Sequence, residues 1–162
     1  MKKSILIILG AAAVSIFTGC SSTPVALGPV GPDPMGFQTG TGAGQLEVFS
    51  AVSGHGEGNN PTWYRHTDYE ICNRQGQNVE RVHNSLGHYS QRPVVVSLSA
   101  GEYIVKARAK GALRVSVPVV IKPGELTSVH LDGAWQPVTS ASESQLVTGP
   151  AGYPVGWRAG AQ

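Results

Sequence analysis

Residues 93–121 read PVVVSLSAGEYIVKARAKGALRVSVPVVI, and their alternation decides the fold. Tyr103, Val105, Ala107 and Ala109 alternate with Ile104, Lys106, Arg108 and Lys110. This is the period of two that turns successive side chains to opposite faces of a strand. Gly111-Ala112 marks a turn, after which Leu113, Val115, Val117, Val119 and Ile121 line one face of a second long strand. Pro118 falls on the other face and lacks the N–H that a ladder uses, so an edge position or a bulge is expected there. Lys122-Pro123-Gly124-Glu125 fits a type II turn, in which Pro fixes the second position and Gly supplies the positive φ of the third. Leu126 to Asp132 is the returning run.

The same grammar extends upstream. Leu46 to Val52 is a short β-type run. Thr67, Tyr69 and Ile71 alternate with Asp68, Glu70 and Cys72, and Asn73-Arg74-Gln75-Gly76 turns the chain into Asn78–Val82 as the other arm of a hairpin. With Pro93–Leu98 this makes seven strands in residues 45–133, separated by turns, and no stretch has helical periodicity. The chain has 162 residues with 21 Gly and 11 Pro, about a fifth of the total against roughly 12% in average usage, which disfavours long helices. Hydrophobic residues at 41% exceed what a disordered chain carries, so a core is expected.

The Gly and Pro concentrate in the flanks. Residues 21–44 hold six Gly and four Pro without period and read as a mostly flexible tether, although Val25, Leu27, Val30, Met35 and Phe37 hint at contact with the domain. Residues 134–162 read as a loosely structured tail. Within it Leu146, Val147, Tyr153, Val155 and Trp157 are costly to leave in water, so a segment around 145–158 is expected to dock on the domain or on a partner.

The pattern Tyr69-x-Ile71, the 73–76 turn, Val79-x-x-Val82, Val96-x-Leu98-x-x-Gly101-x-Tyr103-x-Val105-x-Ala107 and Val120-Ile121-x-x-Gly124-x-x-Thr127-x-Val129-x-Leu131 resembles the carboxypeptidase regulatory-like and prealbumin-like sandwiches. The resemblance covers roughly residues 45–133. It implies an all-β, single seven-stranded antiparallel Ig-like sandwich between tether and tail. For function it implies a binding, spacing or scaffold module without catalysis.

At the N-terminus, Lys2-Lys3 precedes 13 apolar or small residues, Ile5 to Phe17. These are the charged and hydrophobic regions of a secretory signal, too short for a bilayer span of about 20 residues. Phe17-Thr18-Gly19-Cys20 resembles the lipobox of bacterial lipoproteins, with Phe17 where Leu is commoner. That resemblance implies removal of residues 1–19, diacylation of the Cys20 sulfur and acylation of its new amine. Ser21 after the Cys, rather than Asp, implies the outer membrane, facing the periplasm. The alternative is a plain secretory signal with Cys20 as a chance neighbour. Cleavage removes Lys2 and Lys3 from 12 basic residues and none of the 10 acids, so the mature chain carries 10 of each. A neutral protein excludes nucleic acid as a partner recognised through bulk charge.

Candidate sites are few. Five histidines (55, 66, 83, 88 and 130) invite a metal reading, yet no HExxH or CxxC spacing accompanies them and solvated loop histidines are the plainer one. No cofactor is expected. His55-Gly56-Glu57-Gly58 lacks the strand–loop–helix setting of a phosphate cradle. Cys72, on the acidic side of its strand, reads as structural or partly covered, with an intermolecular disulfide as the alternative. Trp63 and Tyr64 could stack on sugars or fill a partner's pocket, or Trp63 could simply cap the sandwich. Lys106, Arg108 and Lys110, with Arg114 past the turn, form a basic strand face that could meet lipid phosphates or anionic glycans, or merely guard an edge. The resulting expectation is a non-enzymatic, lipid-anchored envelope protein serving as a structural or protein-binding module. Its partners are membrane lipid through Cys20 and another envelope protein or glycan. A carbohydrate-binding lipoprotein using Trp63 and Tyr64 is the alternative, and a metal-assisted hydrolase the weakest.

Overall fold

A computed structural model describes residues 23–34, 42–55, 63–85, 92–138 and 141–160. Residues 1–22, with the signal and Cys20, lie outside them. The described chain is all-β. Its strands are β1 (Val25–Ala26), β2 (Gly44–Phe49), β3 (Val52–His55), β4 (Trp63–His66), β5 (Tyr69–Cys72), β6 (Asn78–Val82), β7 (Val95–Leu98), β8 (Gly101–Arg108), β9 (Arg114–Ile121), β10 (Leu126–His130), β11 (Leu146–Thr148) and β12 (Pro154–Trp157). A five-stranded sheet runs β1-β9-β8-β5-β6 and a three-stranded sheet β10-β2-β7, with two-stranded ladders β3-β4 and β11-β12 beside them.

The alternation at 101–121 folds as the sequence indicates. β8 and β9 pair antiparallel from Gly101↔Ile121 to Arg108↔Arg114, which sends Val105, Ala107, Val115, Val117, Val119 and Ile121 to one side. There they meet Leu46 and Val48 of β2, Val96 and Leu98 of β7 and Val129 of β10, so the inward residues of both sheets form one cluster. At the following turn Gly124 has φ 70° and the Glu125 N–H donates to the Lys122 carbonyl at 3.2 Å, as a type II turn requires.

Three expectations need correction. First, the sheets are mixed rather than antiparallel: β10 runs parallel to β2, and β1 parallel to β9. Hairpin neighbours must be antiparallel, but strands distant in sequence have no such constraint. Second, nine strands, β2 to β10, are described in the range where seven were expected, and β1, β11 and β12 lie in the flanks. The run 46–52 breaks at buried Ser50, and Val52–His55 departs to pair with Trp63–His66, a segment that carries no alternation signal. Third, part of the N-terminal flank is built into the body. Val30, expected in the flexible tether, is 0% exposed. Its N–H donates to the Pro118 carbonyl, its carbonyl accepts from Val120, and the Gly31 N–H donates to Trp157. The tail, by contrast, docks where the sequence indicates: within 145–158 it forms β11 and β12, with Val155 and Trp157 buried.

Pro118 fits this strip. Leu27 donates to the Ser116 carbonyl and Val30 to that of Pro118, so the polar groups of these β9 residues face the N-terminal segment. The missing Pro118 N–H therefore falls where that segment breaks its pairing at Gly28-Pro29, between the ladder at Val25–Ala26 and the bridge at Val30.

Gly156 permits the closest approach in the strip. A Cβ there would sit 2.7 Å from Val30 Cγ1 and 2.9 Å from the Ser128 carbonyl. Gly156→Ala should cost roughly 1–3 kcal/mol by overpacking, seen as a melting temperature lowered by several degrees. Gly28→Ala, whose Cβ would rest at an ordinary 3.6 Å from Val147, should melt nearly as wild type. Equal melting of the two variants would contradict this packing.

Candidate functional site

The outer face of the five-stranded sheet ends in a cationic depression. Because Val105 and Ala107 of β8 and Val115 of β9 face the core, their neighbours Lys106, Arg108 and Arg114 face outward. Arg108 and Arg114 are register partners at the hairpin end, and Glu70 of β5 sits opposite Lys106 on one side and Arg81 of β6 on the other. These side chains, with Pro24 and Asp68, line a depression of about 260 Å³. An adjoining open hollow of about 450 Å³ shares Asp68, Arg81 and Arg108 and adds Arg65, His83 and Ser85.

The charges do not balance locally. Asp68 is already engaged: one carboxylate oxygen meets His83 Nδ1 at 2.9 Å and the other accepts the Asn84 backbone N–H at 3.2 Å. Arg81, Lys106, Arg108 and Arg114 form no ion pair among the described residues. Four cations against Asp68 and Glu70 leave an excess of two positive charges.

The expected basic face is thus partly corrected. Lys106, Arg108 and Arg114 belong to it, and Arg81 joins them. Lys110 does not: β8 ends at Arg108, and Lys110 opens a short 3-10 turn, Lys110–Ala112. Its N–H donates to the Leu131 carbonyl and its side chain runs toward Gly133. Trp63 and Tyr64 lie in β4 opposite His55 and Gly54; their side chains, and that of His55, are outside the described residues, as is His88. Cys72 is a free thiol 1% exposed, beside a bulge between Ile71 and Cys72. That burial leaves little access for an intermolecular disulfide.

Behind the depression, buried polar side chains serve the backbone. Asn84, 0% exposed, donates to the Val48 carbonyl at 2.7 Å and to Ser50 Oγ at 3.1 Å, and accepts from the Val94 N–H. Ser50 Oγ donates to the Thr67 carbonyl at 2.6 Å, and His66 Nδ1 lies 2.7 Å from the Ser50 carbonyl. These bonds satisfy the carbonyls where β2 breaks into β3. Among the described residues no three His, Cys, Asp or Glu side chains converge as metal ligands would.

A second cluster gave no sequence signal. Phe49 and His130 are register partners of β2 and β10 and stack at 4.4 Å, and Trp135 covers the other face of His130 at 4.6 Å. His66 abuts Phe49 edge-on at 5.7 Å, and Trp157 abuts Trp135 at 6.2 Å. The five rings cover the outer side of the three-stranded sheet. Only the parallel register, which composition cannot reveal, brings Phe49 and His130 together. Burial in this stack lowers the His130 pKa from 6.5 to about 4, outweighing the attraction of nearby Asp132.

No family model, curated protein or solved structure matches this chain.

The stack predicts a pH signature. His130 is neutral when folded, while in the unfolded chain it takes up a proton below about 6.5. Its contribution is therefore complete above that pH and is lost as pH falls toward 4, by on the order of 2–3 kcal/mol. Urea unfolding of wild type and His130→Phe between pH 4 and 7 should show a shallower acid slope in the variant. Parallel slopes would contradict the assignment.

Proposed function

We propose that the chain is a non-catalytic, lipid-anchored protein of the bacterial cell envelope, attached to the outer membrane through acylated Cys20 and facing the periplasm. Its body is read as a sandwich of the prealbumin-like kind acting as a structural or protein-binding module. Support for the sandwich is the single cluster formed by the inward residues of the five- and three-stranded sheets.

One observation carries the anchor reading furthest. Strand β1 begins at Val25, five residues after Cys20, and the chain is integral to the sheet from there. Everything upstream is then accounted for by a charged start, an apolar run, the Phe17–Cys20 motif and a linker of four residues. Two or more acyl chains give stable membrane attachment where one gives only reversible binding. The module is thereby confined to a surface, which raises its effective concentration near partners there. The buried Ser50, His66 and Asn84, spent on backbone groups, fit a load-carrying body rather than a reaction centre. The carbohydrate alternative rests on Trp63 and Tyr64 and gains no further support from the described residues.

Expression in a Gram-negative host with an alkyne-bearing palmitate analogue checks the anchor. Wild type should be labelled and Cys20→Ala should not, and globomycin should accumulate a larger precursor. An unlabelled wild type of unchanged size under globomycin would overturn the proposal.

A further inference from the structure

The sheet gives a direction to the chain that leads back to Cys20. β1 is parallel to β9 with Val25 opposite Val115, so the chain upstream of Val25 leaves the sheet past Arg114, at the end where the β8–β9 hairpin closes. Pro24 itself lines the cationic depression. From Cys20 to Pro24 are four residue steps, at most ~14 Å when fully extended. The cationic end is therefore close enough to an acylated Cys20 to feel a charged headgroup layer, whose field falls off over about 8–10 Å.

Resting on the lipid-anchor reading of Cys20, we propose that the surface formed by Arg81, Lys106, Arg108 and Arg114 lies on the membrane that the anchor enters and binds the phosphates of anionic lipid headgroups. The distribution of charge along the sheet favours this occupant. At the opposite end of β8 and β9 the cations are paired within the protein, Arg74 with Glu102 at 3.2 Å and Lys122 with Glu125 at 4.0 Å. At the anchor end Arg81, Lys106, Arg108 and Arg114 are unpaired among the described residues, in a mature chain whose formal charge is zero. At the same end, on the face that Val115 takes, Val25 is 42% exposed and Leu113 44% exposed. A cluster of unpaired cations at the end nearest the anchor suits a layer of anionic headgroups. A soluble acidic protein would satisfy the charge but would have to share the few ångströms next to the anchor with the bilayer.

The test uses the chain from Ser21 to Gln162, which retains every described strand, so that binding does not depend on acylation. It should sediment with phosphatidylcholine vesicles containing phosphatidylglycerol, not with pure phosphatidylcholine, and high salt should release it. Arg108→Gln/Arg114→Gln should weaken the association roughly tenfold or more, at about fivefold per charge. Arg74→Gln/Lys122→Gln at the far end should bind as wild type. No phosphatidylglycerol-dependent binding, or equal loss from the far-end variant, would overturn the proposal. Saturable binding of inorganic phosphate without vesicle association would overturn it in favour of a discrete anion site, and association only with detergent-solubilised envelope protein in favour of a protein partner. Mass spectrometry of the N-terminal peptide from cells keeps the two claims apart. Acylated Cys20 without vesicle binding defeats this inference alone, and vesicle binding without acylation defeats the anchor alone.

Discussion

The Val30 strip holds the ends of the chain to its middle. One residue with no solvent exposure lies between β9 and the C-terminal ladder, bridged to Val119 on one side and Arg158 on the other. Hydrogen bonds from Leu27, Val30 and Gly31 reach β9 and β12, and Ala159 returns one to Pro29. Burying a valine contributes roughly 1.5 kcal/mol or more, and each net hydrogen bond about 1 kcal/mol. Val30 and Gly31 from one flank and Leu146, Val147, Val155, Gly156 and Trp157 from the other are thus buried with the body of the domain. Without the strip β9 would expose its outer ladder, β12 would lose its neighbour, and the chain leaving toward Cys20 would have no fixed direction.

That fixed direction joins fold to function. A long flexible tether would leave the domain free to turn any face to the membrane. On the proposed anchor at Cys20, a body whose first strand begins five residues later would turn one end to the membrane, the end that carries Arg81, Arg108 and Arg114. The polar side chains inside serve a different purpose. Asn84 ties β2, the segment after β6 and the lead-in to β7, while Ser50 and His66 close the break between β2 and β3. Among the described residues, Ser50, His66 and Asn84 hold backbone groups, while Arg81, Lys106, Arg108 and Arg114 remain at the surface.

Part of this is legible in the sequence, and the rest is hidden for physical reasons. The β8–β9 hairpin and the turn at 122–125 are readable because each is local: period two, then Pro-Gly at the required positions. Lys106 and Arg108 are readable as an outward face by the same period. Lys110 is misplaced by it because alternation does not say where a strand stops, and here the chain leaves β8 for a 3-10 turn one residue after Ala109. Arg81 joins from a separate hairpin, so only tertiary pairing reveals it. Val30 is masked by composition: Gly and Pro on either side signal a linker, yet a single strand-like residue between them needs no periodicity to be buried. The parallel pairing of β2 with β10, and with it the Phe49–His130 stack, depends on contacts about eighty residues apart that no local pattern encodes.

Native-state amide hydrogen exchange of Leu27, Val30 and Gly31 separates a structural strand from a tether in the N-terminal segment. These amides should exchange as slowly as that of Val117 in the middle of β9, requiring opening of the sheet before deuterium enters. Exchange within seconds at all three, with Val117 still protected, would contradict the strip and with it the fixed direction of the chain upstream of Val25.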